Sequence, residues 1–418
     1  MSNSTSNSAQ NQVCVIVGAS HAAAQLATSL RQKGWAGAIR MISDEGRLPY
    51  QRPPLSKAFL AGETDADSLA IRPPAFYAKH QIECISGKVT AINRREKTLT
   101  LADGSEQRYD KLALCTGTRV IRLPIQGKEL AGVHDLRSLA DVQGIRRDLP
   151  RTHRAVIIGG GYIGLETAAS LRKQGIEVVV LERAERVLQR VTAPEVSAFY
   201  QRIHEEAGVV IHTDIAATAF EGEERVERVV CADGTSYPAD MVIVGIGVTP
   251  NSELAEAAGL ETNNGIVVDE YCQTQDRDIV AAGDCANQWD PHSGQWRRLE
   301  SVPNAMEQAK TAAATLCGER SAQTSLPWFW SDQYDLKLQI AGLSQGYDQI
   351  VIRGTTDSGR SFATFYFRER QLIAADCVNR PSEFMLAKKL LSQKQTPDPT
   401  RLADDTITVR ELMAEMAD

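Results

Sequence analysis

Three glycines and one glutamate carry the clearest chemistry in the chain. Gly159, Gly161 and Gly164 stand in G-x-G-x-x-G spacing, and Glu182 follows at the end of an apolar run. Glycines so spaced suit a pyrophosphate. The first makes a tight turn, the second lets a phosphate approach the backbone, and the third lets a helix pack closely on a strand. An acid at Glu182 can accept hydrogen bonds from both hydroxyls of an adenosine ribose and would repel a 2′-phosphate, which favours NADH over NADPH. Arg183, next to it, is placed to soften that preference.

These residues need a strand, a helix and a second strand to hold them. The apolar run Ala155 to Ile158 predicts a buried parallel strand. A helix is expected from Tyr162 to about Gln174, ended by Gly175, and a second strand from Glu177 to Leu181. A glycine-rich turn in some other α/β protein is the bland alternative. The complete order of strand, turn, helix, strand and acid favours dinucleotide binding.

A weaker copy lies near the start. Val13 to Val17 reads as a strand, followed by Gly18-Ala-Ser-His-Ala-Ala23, in which Ser20 and Ala23 replace the second and third glycines. A helix to about Lys33 and a strand from Ile39 to Ile42 follow, ending near Asp44-Glu45. Each copy is followed by an Asp-Gly hairpin, Asp103-Gly104 or Asp233-Gly234. Each hairpin is followed by an aspartate and a buried strand ending in glycine: Asp110 to Gly117, and Asp240 to Gly247. The chain thus carries two dinucleotide-binding domains, an arrangement suited to two dinucleotides of which one hands electrons to the other.

The bulk composition is ordinary for a globular protein: 418 residues, 43% hydrophobic and 24% charged, with a net charge of -7. No basic tract stands out, so nucleic acid is not an expected partner. The segment Met1 to Gln12 is polar and lacks the apolar core of a signal peptide, so disorder is expected there. No apolar run approaches a membrane span, and a soluble, cytoplasmic protein is expected. The eight cysteines are all isolated, with no C-x-x-C or C-x-x-x-x-C pair. That speaks against a metal or iron–sulfur site and against a redox-active disulfide.

Four further stretches stand out. In Gly46 to Lys57, Pro49, Pro53 and Pro54 stiffen a loop and Ser56 is expected to cap a short helix, with Lys57 solvated by default. Thr274 to Asp284 closes a short strand, Ile279 to Ala282, on Gly283-Asp284. Asp284 is either a holder of sugar or ribityl hydroxyls or a structural turn aspartate. Glu300 to about Cys317 reads as a helix entered through Ser301-Val-Pro303. From Leu326 an aromatic run leads into strands Lys337–Ala341, Gln349–Arg353, Ser361–Phe367 and Gln371–Ala375, then helices Pro381–Leu391 and Thr408–Ala417. This is a third, smaller α+β domain, and its aromatic run is plain core on the simplest reading.

Taken together, Arg52-Pro-Pro-Leu-Ser-Lys57, Thr274 to Asp284, Glu300-Ser-Val-Pro-Asn304 and Trp328-Phe-Trp-Ser-Asp-Gln-Tyr334 resemble the flavoprotein ferredoxin reductases of bacterial oxygenase systems. The resemblance covers nearly the whole chain after the N-terminal tail. It implies an α/β fold with two Rossmann-like dinucleotide-binding domains, glutathione-reductase-like but without the disulfide, and a C-terminal α+β domain. The expected boundaries are 1–121 and 249–326 for FAD, 122–248 for NAD and 327–418 for the last domain.

The resemblance also implies residue roles. Gly18 and Ala22 would face the FAD pyrophosphate and Asp44 its adenosine ribose. Lys57 would lie at the isoalloxazine edge, Asp284 at the ribityl chain and the Val302 backbone at the flavin ring. Val89, Arg137, Thr116, Gly117 and Gly247 are further cofactor contacts, and Cys115 stands where the family usually has alanine. Gly159, Gly161, Gly164 and Glu182 would hold NADH. Lys57 and Glu166 are similar to a charge pair beside flavin N5; read locally, Glu166 is an ordinary first-turn helix acid. Trp330 resembles a tryptophan beside the flavin where a two-iron two-sulfur ferredoxin docks, and Arg297 and Arg298 are docking candidates by composition.

The implied reaction is hydride transfer from NADH to FAD, then single-electron transfer to the ferredoxin of a haem-thiolate monooxygenase or Rieske dioxygenase. The working unit would be a monomer or weak dimer. Rival readings are an NADH oxidase, a peroxide, disulfide or rubredoxin reductase, or a signalling flavoprotein of the apoptosis-inducing type. The missing cysteine pair speaks against the thiol-dependent rivals.

Overall fold

The computed structural model describes residues 11–290 and 294–415. The polar tail up to residue 10 and the end of the last expected helix, from residue 416, lie outside the described residues. The chain forms two compact units. The first comprises Met1–Gln51, Ala66–Arg119 and Val248–Ser325; the second comprises Arg52–Asp65, Val120–Gly247 and Leu326–Asp418.

In the first unit, five strands form a parallel sheet in the order Ile279–Ala281, Lys111–Leu114, Val13–Val17, Ala38–Ser43, Ile82–Ser86. The inner three strands are near-continuous apolar runs, as a sheet covered on both faces requires. On one face, helices His21–Gln32 and Val302–Leu316 pack together. Their shared seam is alanine-rich, with Ala23, Ala27, Ala309, Ala312 and Ala313 all fully buried, so two backbones can approach closely. A three-stranded antiparallel sheet, Val89–Asn93, Thr98–Leu101 and Glu106–Arg108, is attached.

The second unit repeats the plan. Its parallel sheet runs Val210–His212, Glu177–Leu181, Arg154–Ile158, Met241–Val244, Val133–Asp135. Helix Tyr162–Lys173 follows the central strand. The duplication extends to side chains. Asp110 Oδ2 accepts from the Val13 N–H at 2.7 Å, and Asp240 Oδ2 accepts from the Arg154 N–H at 2.9 Å. In each copy an aspartate before the return strand closes the open backbone donor at the start of the central strand.

The C-terminal part is a five-stranded antiparallel sheet, ordered Trp328–Gln333, Leu336–Gly342, Gln371–Val378, Phe362–Arg368, Gln349–Gly354, with helix Pro381–Gln393 against it. The aromatic run is therefore a strand in its own right. It joins its neighbour through a turn at Tyr334 and Asp335, with Tyr334 at φ +57°. That left-handed conformation usually goes to glycine or asparagine, so residue types did not announce the turn. Short helix Pro399–Ala403 was likewise unmarked in the sequence.

The unit boundaries depart from the three-domain reading at two places, each with a packing cause. Arg52–Asp65 belongs to the second unit, where Arg52 Nη1 donates to Arg137 O at 2.8 Å and the Arg146 guanidinium lies over the Phe59 ring at 4.9 Å. The C-terminal sheet shares one core with the nucleotide half, joining Leu165, Phe199 and Tyr200 to Leu336, Leu338 and Phe362.

Within that second unit, Asp376 is fully buried and accepts from the Tyr366 hydroxyl at 2.5 Å. Burial pushes its carboxyl up to about 7, against the opposing pull of the Tyr366 hydrogen bond. The folded state therefore prefers the protonated acid. The resulting stabilisation is complete below the unfolded value near 4 and is lost as pH rises through about 7. Replacing Asp376→Asn should abolish this dependence. Denaturant unfolding should show the variant gaining on the wild type by on the order of a few kcal/mol between about pH 5 and about pH 8. A stability difference that does not change with pH would show that Asp376 does not titrate in this range.

Candidate functional site

The nucleotide turn of the first unit rests on a close approach of two backbones. Gly18 has φ +112°, and a Cβ there would lie 2.1 Å from the Cys115 carbonyl oxygen, so only glycine fits. Ser20 is the N-cap of helix His21–Gln32 and makes no side-chain capping bond there. Ala23, at the third glycine position, is fully buried, so this helix–strand contact has room for one methyl. Asp44 is exposed just past the second strand.

Other expected residues gather at the same C-terminal edge of the parallel sheet, where open α/β sheets bind ligands. Thr116 Oγ1 donates to Asn251 O at 2.6 Å, and Asn251 Nδ2 returns a bond to Thr116 O at 2.8 Å, which pins the turn through Gly117. Asp284 follows Gly283, whose Cβ position lies 3.1 Å from the Ala22 methyl. That places Asp284 beside the helix N-terminus, with Thr118 Oγ1 at 3.4 Å from its carboxylate. Val302 is the first residue of its helix, capped by Ser301 Oγ accepting from Asn304 N at 3.2 Å. Val89 opens a strand of the antiparallel sheet and packs against the core that includes Val17, Ile42 and Leu114 of the parallel sheet. Arg137 falls in the second unit.

In the second unit the three glycines separate by cause. A Cβ on Gly159 would lie 2.5 Å from Gly245 O, and one on Gly164 would lie 2.1 Å from Gly159 O. Both are required by the protein's own backbone. A Cβ on Gly161 would meet nothing within 4 Å. The open space at that glycine, at the helix N-terminus, is where a phosphate would need to approach the backbone. Glu182 Oε2 accepts from the Gly160 N–H at 2.6 Å and Oε1 from the Ala184 N–H at 2.8 Å. The expected ribose acid therefore also braces the phosphate turn, a role the sequence spacing did not reveal. Gly247, at φ +115°, lies between strand Met241–Val244 and strand Val248–Pro250.

Lys57 and Glu166 meet directly, with Nζ to Oε2 at 2.6 Å. Glu166 is not a first-turn surface acid. It lies one turn further along the helix with its side chain 2% exposed, while Lys57 retains 21%. Ser56 Oγ donates to Oε2 and Ser331 Oγ to Oε1, each at 2.6 Å. Ser56 thus does not cap a helix. It ends a short 3-10 turn, Pro53–Ser56, and its hydroxyl is spent on Glu166. Sequence reasoning missed Ser331, which lies 165 positions from Glu166.

Trp330 is half-buried, with its ring 5.6 Å from Trp328 and 6.4 Å from Phe329. It borders a cavity of about 630 Å³ lined also by Asp332, Lys337, Gln339 and Asn379. Arg297 and Arg298 are committed to acids: Arg297 Nε to Asp290 at 3.2 Å, and Arg298 Nη1 to Glu300 at 2.7 Å, with Arg298 only 10% exposed. All eight cysteines are free. Burial pushes the thiols of Cys14, Cys115, Cys272 and Cys285 up, so none is a ready nucleophile.

Residues 12–309 match the pyridine nucleotide-disulphide oxidoreductase family, and residues 328–413 match the reductase C-terminal family. The chain belongs to the pyridine nucleotide-disulphide oxidoreductases. Among relatives of this oxidoreductase, putidaredoxin reductase of Pseudomonas putida is 46% identical, with 97% of each chain covered. Rhodocoxin reductase of Rhodococcus erythropolis is 40% identical, covering 97% of this chain and 95% of its own. In a crystal structure of the covalent putidaredoxin reductase–putidaredoxin complex, a chain 45% identical superposes with a TM-score of 0.94, covering 97% of this chain and 99% of that one. Unlike the disulphide reductases for which its family is named, this oxidoreductase has no joined pair among its eight cysteines.

Replacing Glu182→Ala removes the brace on Gly160 and the acceptor expected at the ribose. The KM for NADH should rise by about tenfold or more, and the preference over NADPH should narrow as the repulsion of the 2′-phosphate disappears. Steady-state kinetics with both nucleotides check this. Unchanged values would remove Glu182 from the nucleotide site.

Proposed function

We propose that the chain is an FAD-dependent NADH:ferredoxin reductase that supplies electrons to a bacterial oxygenase through a two-iron two-sulfur ferredoxin. The observation that carries this is the whole-length likeness to putidaredoxin reductase, 46% identical over 97% of the chain, in a protein with two nucleotide turns and no cysteine pair. FAD, when bound, accepts a hydride from NADH and gives up its two electrons one at a time, with one proton released.

The protein's own part is to bind and orient. Gly18, Ala22 and the helix N-terminus at His21 hold the FAD pyrophosphate, Asp44 its ribose, and Asp284 the ribityl hydroxyls. Val89, Thr116, Gly117, Arg137 and the Val302 backbone complete the flavin contacts. Gly159, Gly161 and Gly164 hold the NADH pyrophosphate, with Gly247 in the turn after the adjoining strand and Glu182 at the ribose. Lys57, pinned by Glu166, presents a fixed ammonium to the reacting ring, where positive charge favours the reduced form. Trp330 is the side chain that meets the ferredoxin.

Among the described residues, no helix is long and apolar enough to cross a membrane. We place the working enzyme in the cytoplasm, where NADH is supplied, as a monomer or weak dimer.

Purified protein with FAD should drive NADH-dependent reduction of a two-iron two-sulfur ferredoxin far faster than it consumes oxygen. Oxygen consumption that matches ferredoxin reduction would favour an NADH oxidase. Trp330→Ala should slow ferredoxin reduction several-fold more than ferricyanide reduction, since a small dye does not need the docking face. Equal losses with both acceptors would remove Trp330 from that role.

A further inference from the structure

Glu166 is reached by more than its immediate donors. Ser331 Oγ, which donates to Glu166 Oε1, lies 3.2 Å from Gln333 Nε2. Gln333 Oε1 lies 2.8 Å from His204 Nε2, and His204 Nδ1 lies 3.2 Å from the Tyr334 hydroxyl. Ser331, Gln333 and His204 are all 1% exposed or less. The row therefore runs through dry interior from helix Tyr162–Lys173, across strand Trp328–Gln333, to helix Pro194–Glu206.

Its direction follows from one end. An ionised carboxylate only accepts, so Ser331 must donate to it. The serine oxygen then accepts from the Gln333 amide nitrogen. That turns the Gln333 carbonyl toward His204, which must carry its proton on Nε2 and accept at Nδ1 from Tyr334. Every proton in the row points toward Glu166. Burial lowers His204 to about 4, so the imidazole is neutral, as the row requires. Three buried polar side chains cost more than an apolar filling unless each is satisfied, and these three are satisfied only in this one orientation.

We propose that Ser331, Gln333 and His204 are positioning residues whose aligned hydrogen bonds hold the Glu166 carboxylate in place, and through it fix the Lys57 ammonium for the hydride step. This rests on the proposed role of Lys57 beside the flavin. The residues act through Glu166 and touch neither nucleotide.

The test uses the FAD-loaded enzyme carrying Ser331→Ala, which removes one oxygen, and Gln333→Met, which keeps length and volume. Nitrogen NMR of the histidine-labelled protein, with His204 assigned by His204→Phe, should show a single Nε2–H tautomer in the wild type. In both variants it should become a mixture. Stopped-flow reduction of the flavin by NADH should slow by about tenfold in Ser331→Ala, with the KM for NADH unchanged and with partial rescue by Ser331→Thr.

An unaltered tautomer signal would overturn the proposal. So would normal flavin reduction in both variants while Lys57→Ala slows it; the reading of Lys57 would then survive. If Lys57→Ala itself reduces flavin at the wild-type rate, that reading fails and this inference falls with it.

Discussion

A carboxylate 2% exposed cannot stand alone, and the second unit is arranged around meeting that demand at Glu166. Five groups answer it in sum: the Lys57 ammonium, two serine hydroxyls and, behind one of these, an amide and an imidazole. They come from three stretches that are far apart in sequence. The buried charge thus does what a core of leucines would not do. It specifies which loop, which helix and which strand must meet, and at which atoms. A buried ion pair is a poor source of net stability, since desolvation offsets most of its attraction. Its value here is geometric. The ammonium it holds is part-exposed and immobile, which a solvated lysine is not.

The nucleotide turns obey a different constraint, the approach of one backbone to another. In both copies the first glycine is dictated by a carbonyl on the adjacent return strand, Cys115 in one and Gly245 in the other. The copies diverge at the third position. Gly164 faces the Gly159 carbonyl at a distance that excludes any Cβ, whereas Ala23 buries its methyl. The two halves therefore share a plan but not a helix–strand spacing. A turn that looks degraded by pattern is, by packing, a slightly wider version of the same turn.

Much of this was legible in the sequence, and the parts that were not share a cause. Strand Val13–Val17, helix Tyr162–Lys173 and the Asp-Gly hairpins follow from local pattern, because period and turn chemistry are local. So does the internal duplication, whose paired aspartates at 110 and 240 turn out to perform the same bond. The strand Trp328–Gln333 was hidden because its turn is made by Tyr334 rather than glycine or asparagine. Ser56 looked like a cap because a serine at a loop–helix junction normally is one, and its true partner is 110 positions away. The second function of Glu182 was hidden for the opposite reason. The bond to Gly160 is close at hand, but spacing alone cannot say where a flexible carboxylate points. Long-range side-chain bonds leave no periodic trace.

The bond between Glu166 and Ser331 spans 165 residues of chain. During synthesis at ~5–20 residues per second, the helix bearing Glu166 emerges roughly ten seconds or more before its serine exists. Through that interval the nascent nucleotide half can form its sheet, but its most demanding buried acid must stay wet or be sheltered. The C-terminal sheet therefore acts as the closing piece of an earlier half, and ribosome stalling or truncation before Ser331 would strand a folded-looking intermediate with an unsated acid at its centre.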